Sequence, residues 1–186
     1  MVLVMHLCSE EEISAEEALH DIFLRCLSFA KERKIHLDMR GLDLALLSIE
    51  SIEHDFPHIK VKGHDCKMWL FFLDHEFQKL PAQFRTEHCC VHALAQFLRV
   101  LEEEGTSLGS CFLKPSQAEA ATRWGTIHLK LYGSLASKAL EQLKPLYFLR
   151  PKIHQFHHKI VHRLQQGNLL NPRVVSEPEP WSRLHI

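Results

Sequence analysis

Glycine is scarce in this chain, with 7 among 186 residues, and the pattern of the few present excludes more than their number. No two fall in the spacing that cradles a nucleotide phosphate in a P-loop or a dinucleotide fold, which argues against the common ATP, GTP, NAD and FAD enzymes. A Gly-x-Ser-x-Gly elbow is also missing, and no cysteine lies in a recognisable protease context. The cysteines at 8, 26, 66, 89, 90 and 111 form no Cys-x-x-Cys pair, so the usual zinc modules have no framework here. Long apolar runs are lacking too. The most apolar patch, Met68 to Leu73, is far shorter than a membrane span. With 22 basic and 23 acidic residues the net charge is -1, so no global basic field announces a polyanionic partner.

What is present fits a folded chain. The 46% hydrophobic and 24% charged content is ordinary for a globular protein. A length of 186 residues buries enough surface to fold without a metal or a disulfide. The expectation is a single helical domain over 1–170 with an irregular, proline-containing tail over 171–186. Met1 to Leu7 is apolar but lacks the basic flank and small-residue cleavage site of a signal peptide. Together with free thiols suited to a reducing compartment, this places the chain inside the cell, in cytoplasm or nucleus, with no membrane partner.

The periodicity predicts a mainly α bundle of about five or six helices with at most one short strand pair. Ser14 and Glu17 stand at capping-box spacing before a helix reaching about Arg33, with Ala18, Ile22, Leu24, Leu27 and Phe29 as its half-buried positions. Leu42 to Ile52 reads as a second helix and Ile59 to Lys62 as a possible strand after a loop. Asp65 to Lys79 is helical again, and Asp74, His75 and Glu76 near its end read as a solvated polar cluster. Thr86 to Glu104 follows, with Cys90, Val91, Leu94, Leu98 and Leu101 inward. Ser116 and Glu119 open the next helix at capping-box spacing, with Trp124, His128, Leu131, Leu135 and Ala139 on one seam. Gly125 and Gly133 weaken its interior unless another helix packs closely there. Last, Pro151 suits a first helical turn and Gly167 a C-terminal cap, with Ile153, Phe156, Ile160 and Leu164 as the stripe between them.

Histidine is abundant, at 15 residues. His88 and His92 on one helix, and His154 and His158 on another, share the i, i+4 spacing that lets two imidazoles chelate a divalent metal; His162 extends the second series. Four such rings define a candidate zinc-type site, possible hydrolase chemistry included, although Lys152, Lys159 and Arg163 oppose a cation nearby. His-Asp dipeptides at 20/21, 54/55 and 64/65 resemble a phosphohydrolase element but are cheap by chance in so histidine-rich a chain. The basic residues of the C-terminal third, with Arg150, Lys152, Lys159, Arg163 and Arg173 as candidate phosphate contacts, carry charge of one sign beside Tyr147 and Phe148.

The segment Leu149-Arg150-Pro151-Lys152-Ile153-His154-Gln155-Phe156-His157-His158, followed by Leu170-Asn171-Pro172-Arg173, resembles the C-terminal region of transposable-element-like open reading frames abundant in dinoflagellates. Tyr132-Gly133-Ser134-Leu135-Ala136 fits their tyrosine-, leucine- and alanine-containing helix. The resemblance covers about residues 84–173. Some of those frames look like RNase H-like transposases, which use acidic residues and divalent metals. Here Val174 to Trp181 replaces the acidic, phenylalanine- and glycine-containing stretch expected next, and no trio of strand-borne carboxylates can be assigned, so no catalytic residue is carried over. The expectation is a non-catalytic helical domain of transposable-element origin, needing no cofactor, that binds nucleic acid or a protein through its C-terminal half. Its alternatives are the metal-binding bundle with a divalent ion such as zinc, and a structural protein-interaction module.

Overall fold

A computed structural model describes residues 1–50, 59, 63–102, 112–144, 146–147 and 151–167, with Pro151, Lys152 and Lys159 described at the backbone alone. The chain is mainly α-helical, and no strand occurs among the described residues. In order the helices are α1 (Val2–Glu11), α2 (Ala15–Glu32), α3 (Gly63–Phe77), α4 (Arg85–Glu102) and α5 (Pro115–Glu141). A 3-10 turn, Ala82–Phe84, leads into α4. The last helical run joins α6 (Pro151–Phe156), a π turn (His157–Val161) and α7 (His162–Gln165) without a break. Lys60 to Lys62 of the possible strand, the sequel of α4 at Gly105 and the tail 171–186 lie outside the described residues. No described helix is long and apolar enough to cross a membrane.

Two compact units organise these elements. The first holds α1, α2, α3 and the end of α5 from Ala136; the second holds α4, the rest of α5 and the C-terminal run.

In the first unit the sequence reading of α2 holds at its start. Ser14 Oγ accepts the Glu17 N–H at 3.2 Å, while Glu17 Oε2 accepts the Ser14 N–H at 2.8 Å. This pair satisfies two orphan donors and contributes about 1 kcal/mol. Its buried face is Ala18, Leu19, Ile22, Phe23, Cys26, Phe29 and Ala30. Leu24 and Leu27, counted among the apolar positions of this half-buried helix, are exposed: Leu24 lies opposite the stripe at 19, 22, 26 and 29, and Leu27 stands at the edge of the buried face, one turn after Phe23. α2 packs on α3 through Phe29 and Phe72, whose rings meet edge to face at 5.7 Å. The helix expected over Leu42 to Ile52 is one turn within the described part. Asp43 Oδ1 caps it through the Leu46 N–H at 2.7 Å, and Ser48, at φ 55°, ends it in the left-handed region. The Ile49 N–H then bonds Leu44 O and the Ser48 N–H bonds Ala45 O, the paired closure of a Schellman stop.

Of the polar cluster late in α3, His75 is exposed as expected, whereas Asp74 and Glu76 are only 2% and 4% exposed. Glu76 follows Phe72 by one turn and so shares its inward face, where the Arg25 guanidinium meets it at 3.7 Å. Arg25 also pairs with Asp21 at 2.6 Å and with Glu11 at 3.7 Å. The His-Asp dipeptides among the described residues serve the same structural ends. Asp21 holds Arg25, the His64 ring donates to His36 O at 3.1 Å, and buried Asp65 accepts the Asp38 N–H at 3.2 Å.

In the second unit the core gathers Phe97, Val100, Leu101, Leu113, Ala118, Ala121, Ile160 and Leu164. Cys90 and Leu101 are buried as expected, while Leu94 and Leu98 cover the core from its edge. α5 begins two residues earlier than the Ser116 cap implied. Lys114 O takes the first helical bond, Pro115 is the first helical residue, and Gln117 Oε1 reaches back to the Lys114 N–H at 2.9 Å. A proline suits that position because its missing N–H has no intrahelical acceptor there. Of the two interior glycines only Gly125 is spatially required. A Cβ there would stand 2.7 Å from Val161 Cγ2, whereas one at Gly133 meets nothing within 4 Å.

Candidate functional site

The candidate surface is the run from Pro151 to Gln165. Pro151 opens it as a first-turn proline should, and Gly167, at φ 80°, closes it with its N–H on Leu164 O at 3.0 Å. Ile160 and Leu164 are buried as the four-residue spacing predicted, with Ile153 and Phe156 half-buried beside them. Phe156 stands edge to face against Phe97 at 5.2 Å and His128 at 6.0 Å. Val161 is buried as well and was not in the predicted stripe. The π turn explains it. One residue more than an α turn holds is accommodated, the His162 N–H bonds back to His157 O, and the apolar face widens to include Val161. Gly125 leaves the space that Val161 fills.

The opposite face is polar. His154, His157, His158, His162 and Arg163 are all exposed. Ring centroids stand 4.2 Å apart for His154 and His158, 4.7 Å for His157 and His158, 6.0 Å for His158 and His162, and 6.3 Å for His157 and His162. His158 touches all of the others. Its imidazole is held below the usual histidine range by local desolvation first, then by the like charge that His154, His157 and His162 add on protonation. The sequence reading paired His154, His158 and His162 by their four-residue spacing but left His157 aside, since only the extra residue of the π turn turns it toward His162.

Of the candidate phosphate contacts, Arg163 is exposed on this run. Lys152 and Lys159 belong to it by backbone, and Arg150 and Arg173 lie outside the described residues. From Gln142 to Ser176 the chain contains no aspartate or glutamate.

The other candidate ligands, His88 and His92, are half-buried neighbours on α4 with ring centroids 5.8 Å apart. The Gln96 side-chain amide donates to His92 Nε2 at 3.2 Å, and the His92 ring meets Trp124 edge to face at 5.8 Å. His88, His92, His154 and His158 thus form two close pairs. No three of the four bring ligand nitrogens within 4.8 Å of one another.

A buried histidine that sequence reasoning assigned to the α5 seam has a definite role. His128 Nδ1 stands 3.0 Å from Cys90 O, which can only accept, so Nδ1 carries the proton. In return the Cys90 thiol lies 3.9 Å from His128 O as a weak donor. Burial holds the imidazole below its usual range, and the bond to Cys90 O offsets only part of that. The Cys90 thiol is pushed up to about 12 by burial first, then by Glu87 and Cys89. A thiol this reluctant to ionise is a packing group and not a nucleophile.

Comparison of the chain with protein-family models, with curated proteins and with solved structures finds no match.

Proposed function

We propose that this protein is a non-catalytic helical domain of transposable-element origin that contacts nucleic acid through the polar face of its C-terminal run. One observation carries the reading. Between Gln142 and Ser176 every charged residue is basic, and the helical run Pro151–Gln165 within that stretch has an apolar face in the core and an exposed face bearing imidazoles and Arg163. Such a surface binds phosphates without needing to read bases, and its affinity falls steeply with salt. The resemblance of the same segment to transposable-element-like reading frames supports the choice of partner.

The test is fluorescence anisotropy with duplex DNA, single-stranded DNA and RNA over a series of salt concentrations. Binding that weakens linearly in log salt, and roughly tenfold further on Arg163→Glu, is the expected result. No binding at low ionic strength refutes the reading.

A protein partner is the second reading, favoured by Leu140 and Leu143, which are 73% and 87% exposed near the end of α5. Apolar side chains this open on neighbouring turns suit association more than solvation. Leu140→Ser with Leu143→Ser would then abolish pull-down of a partner while leaving nucleic-acid affinity intact.

A further inference from the structure

The exposed imidazoles of the C-terminal run have a geometry that phosphate contact does not need. In a straight α-helix His157 and His162 would point ~140° apart around the axis. The π turn between them brings their rings to 6.3 Å and sets both beside His158, at 4.7 and 6.0 Å. Three rings therefore close a triangle, and His154 adds a fourth at 4.2 Å from His158. Two imidazoles on one tetrahedral ion, with metal–nitrogen bonds of about 2.0–2.1 Å, hold their ring centroids on the order of 5 Å apart. The observed separations bracket that value. π turns inside α-helices are uncommon and recur at functional sites. This one is fixed from below, because buried Ile160, Val161 and Leu164 anchor it and Gly125 leaves room for Val161.

We propose that His157, His158 and His162, with His154 as the fourth neighbour, form a surface site for a single late first-row divalent ion of the zinc, nickel or copper type. Neutral imidazole favours these metals over magnesium or calcium, which seek oxygen ligands. The like charges of Lys152, Lys159 and Arg163 in the same run act against any cation held only by charge, and so sharpen that preference. No three of the four histidines bring their nitrogens within 4.8 Å of one another in the metal-free arrangement. Binding therefore turns exposed rings about their side-chain torsions, a small cost at a solvated position. His154, His158 and His162 of this site follow the four-residue spacing read in the sequence, the π turn adds His157, and nothing from α4 is needed.

The site stands independently of nucleic-acid binding: a chain that takes metal but no nucleic acid loses only the earlier reading. Zinc and nickel are titrated into the untagged, metal-free full chain at about pH 7.5, where imidazoles are neutral, in competition with a chromogenic chelator. One ion per chain is expected, weakened at least ~tenfold by His158→Ala and by His162→Ala and unchanged in a His88→Ala, His92→Ala double variant. Circular dichroism of His158→Ala and His158→Gln checks that the helix persists. Absence of saturable binding, full-strength binding by both His158 variants, or loss of binding in the α4 double variant each overturns the proposal.

Discussion

Two histidine environments share the second unit and have opposite uses. His128 is enclosed between α4 and the C-terminal run, its Nδ1–H committed to Cys90 O and its ring against Phe156. His154, His157, His158 and His162 stand in solvent and, among the described residues, have one another as histidine ring neighbours. In the first case burial makes the neutral ring a packing and hydrogen-bonding group. In the second, solvation leaves the ring nitrogens available to a ligand. Residue type is the same in both places, and the environment alone separates structure from chemistry.

The comparison is tested most strongly by deletion. His128→Ala removes a buried ring and leaves Cys90 O without that donor, so a loss of about 3 kcal/mol in urea unfolding is expected. His154→Ala, on the solvated face, is expected to stay within about 0.5 kcal/mol of the parent. Equal losses at the two positions would erase the distinction.

The next effect concerns the platform of the exposed cluster. Gly125→Ala drives a methyl to 2.7 Å from Val161 Cγ2, and valine is too stiff to yield cheaply. A cost of about 2 kcal/mol follows from overpacking, and it should weaken metal binding by disturbing the π turn. Gly133→Ala, with open space around it, is expected to stabilise the chain by about 0.5–1 kcal/mol through helix propensity.

Protonation gives a smaller and more selective signal. The unfolded His128 takes a proton near pH 6.5, whereas the folded residue resists it to lower pH because it is buried. Between those two values the unfolded state binds more protons, so stability present above pH 6.5 falls as pH drops through that window. Unfolding midpoints of the parent and of His128→Asn, followed across the window, should differ in slope, with the variant flatter.

The smallest expected effect lies at the end of α5. Leu143 sits at φ 53° and is almost fully exposed, a conformation that costs a non-glycine residue free energy. Leu143→Gly should stabilise the helix end by about 0.5 kcal/mol in the same assay, and a destabilised variant would show that the leucine side chain makes contacts of its own.

Much of the helical layout was legible in the residues. The Ser14 and Glu17 cap, the start at Pro151, the stop at Gly167 and the stripe of Ile160 and Leu164 all follow from local rules, because capping and 3.6-residue periodicity depend on neighbours along the chain. Failures came where a distant partner decides. Asp74 and Glu76 are charged and near a helix end, which locally means solvent, yet Glu76 is carried inward by the phase of Phe72 and meets Arg25 from α2. Leu24 is apolar but lies on the far side of α2, and Leu27 stands at the edge of its buried face. Leu42 to Ile52 has helical residues, and a left-handed Ser48 ends its first turn.

The candidate site divides in the same way. The amino-acid sequence alone determined that the C-terminal third is basic, free of carboxylates and rich in histidine, and that nucleotide and nucleophile motifs are absent. Only the tertiary structure decided that His128 is committed to Cys90 O, that Val161 joins the core over Gly125, and that a π turn draws His157 to His162. A spacing of five residues carries no signal in a regular helix. It gains meaning only when packing of Ile160, Val161 and Leu164 against the core inserts one residue into the turn.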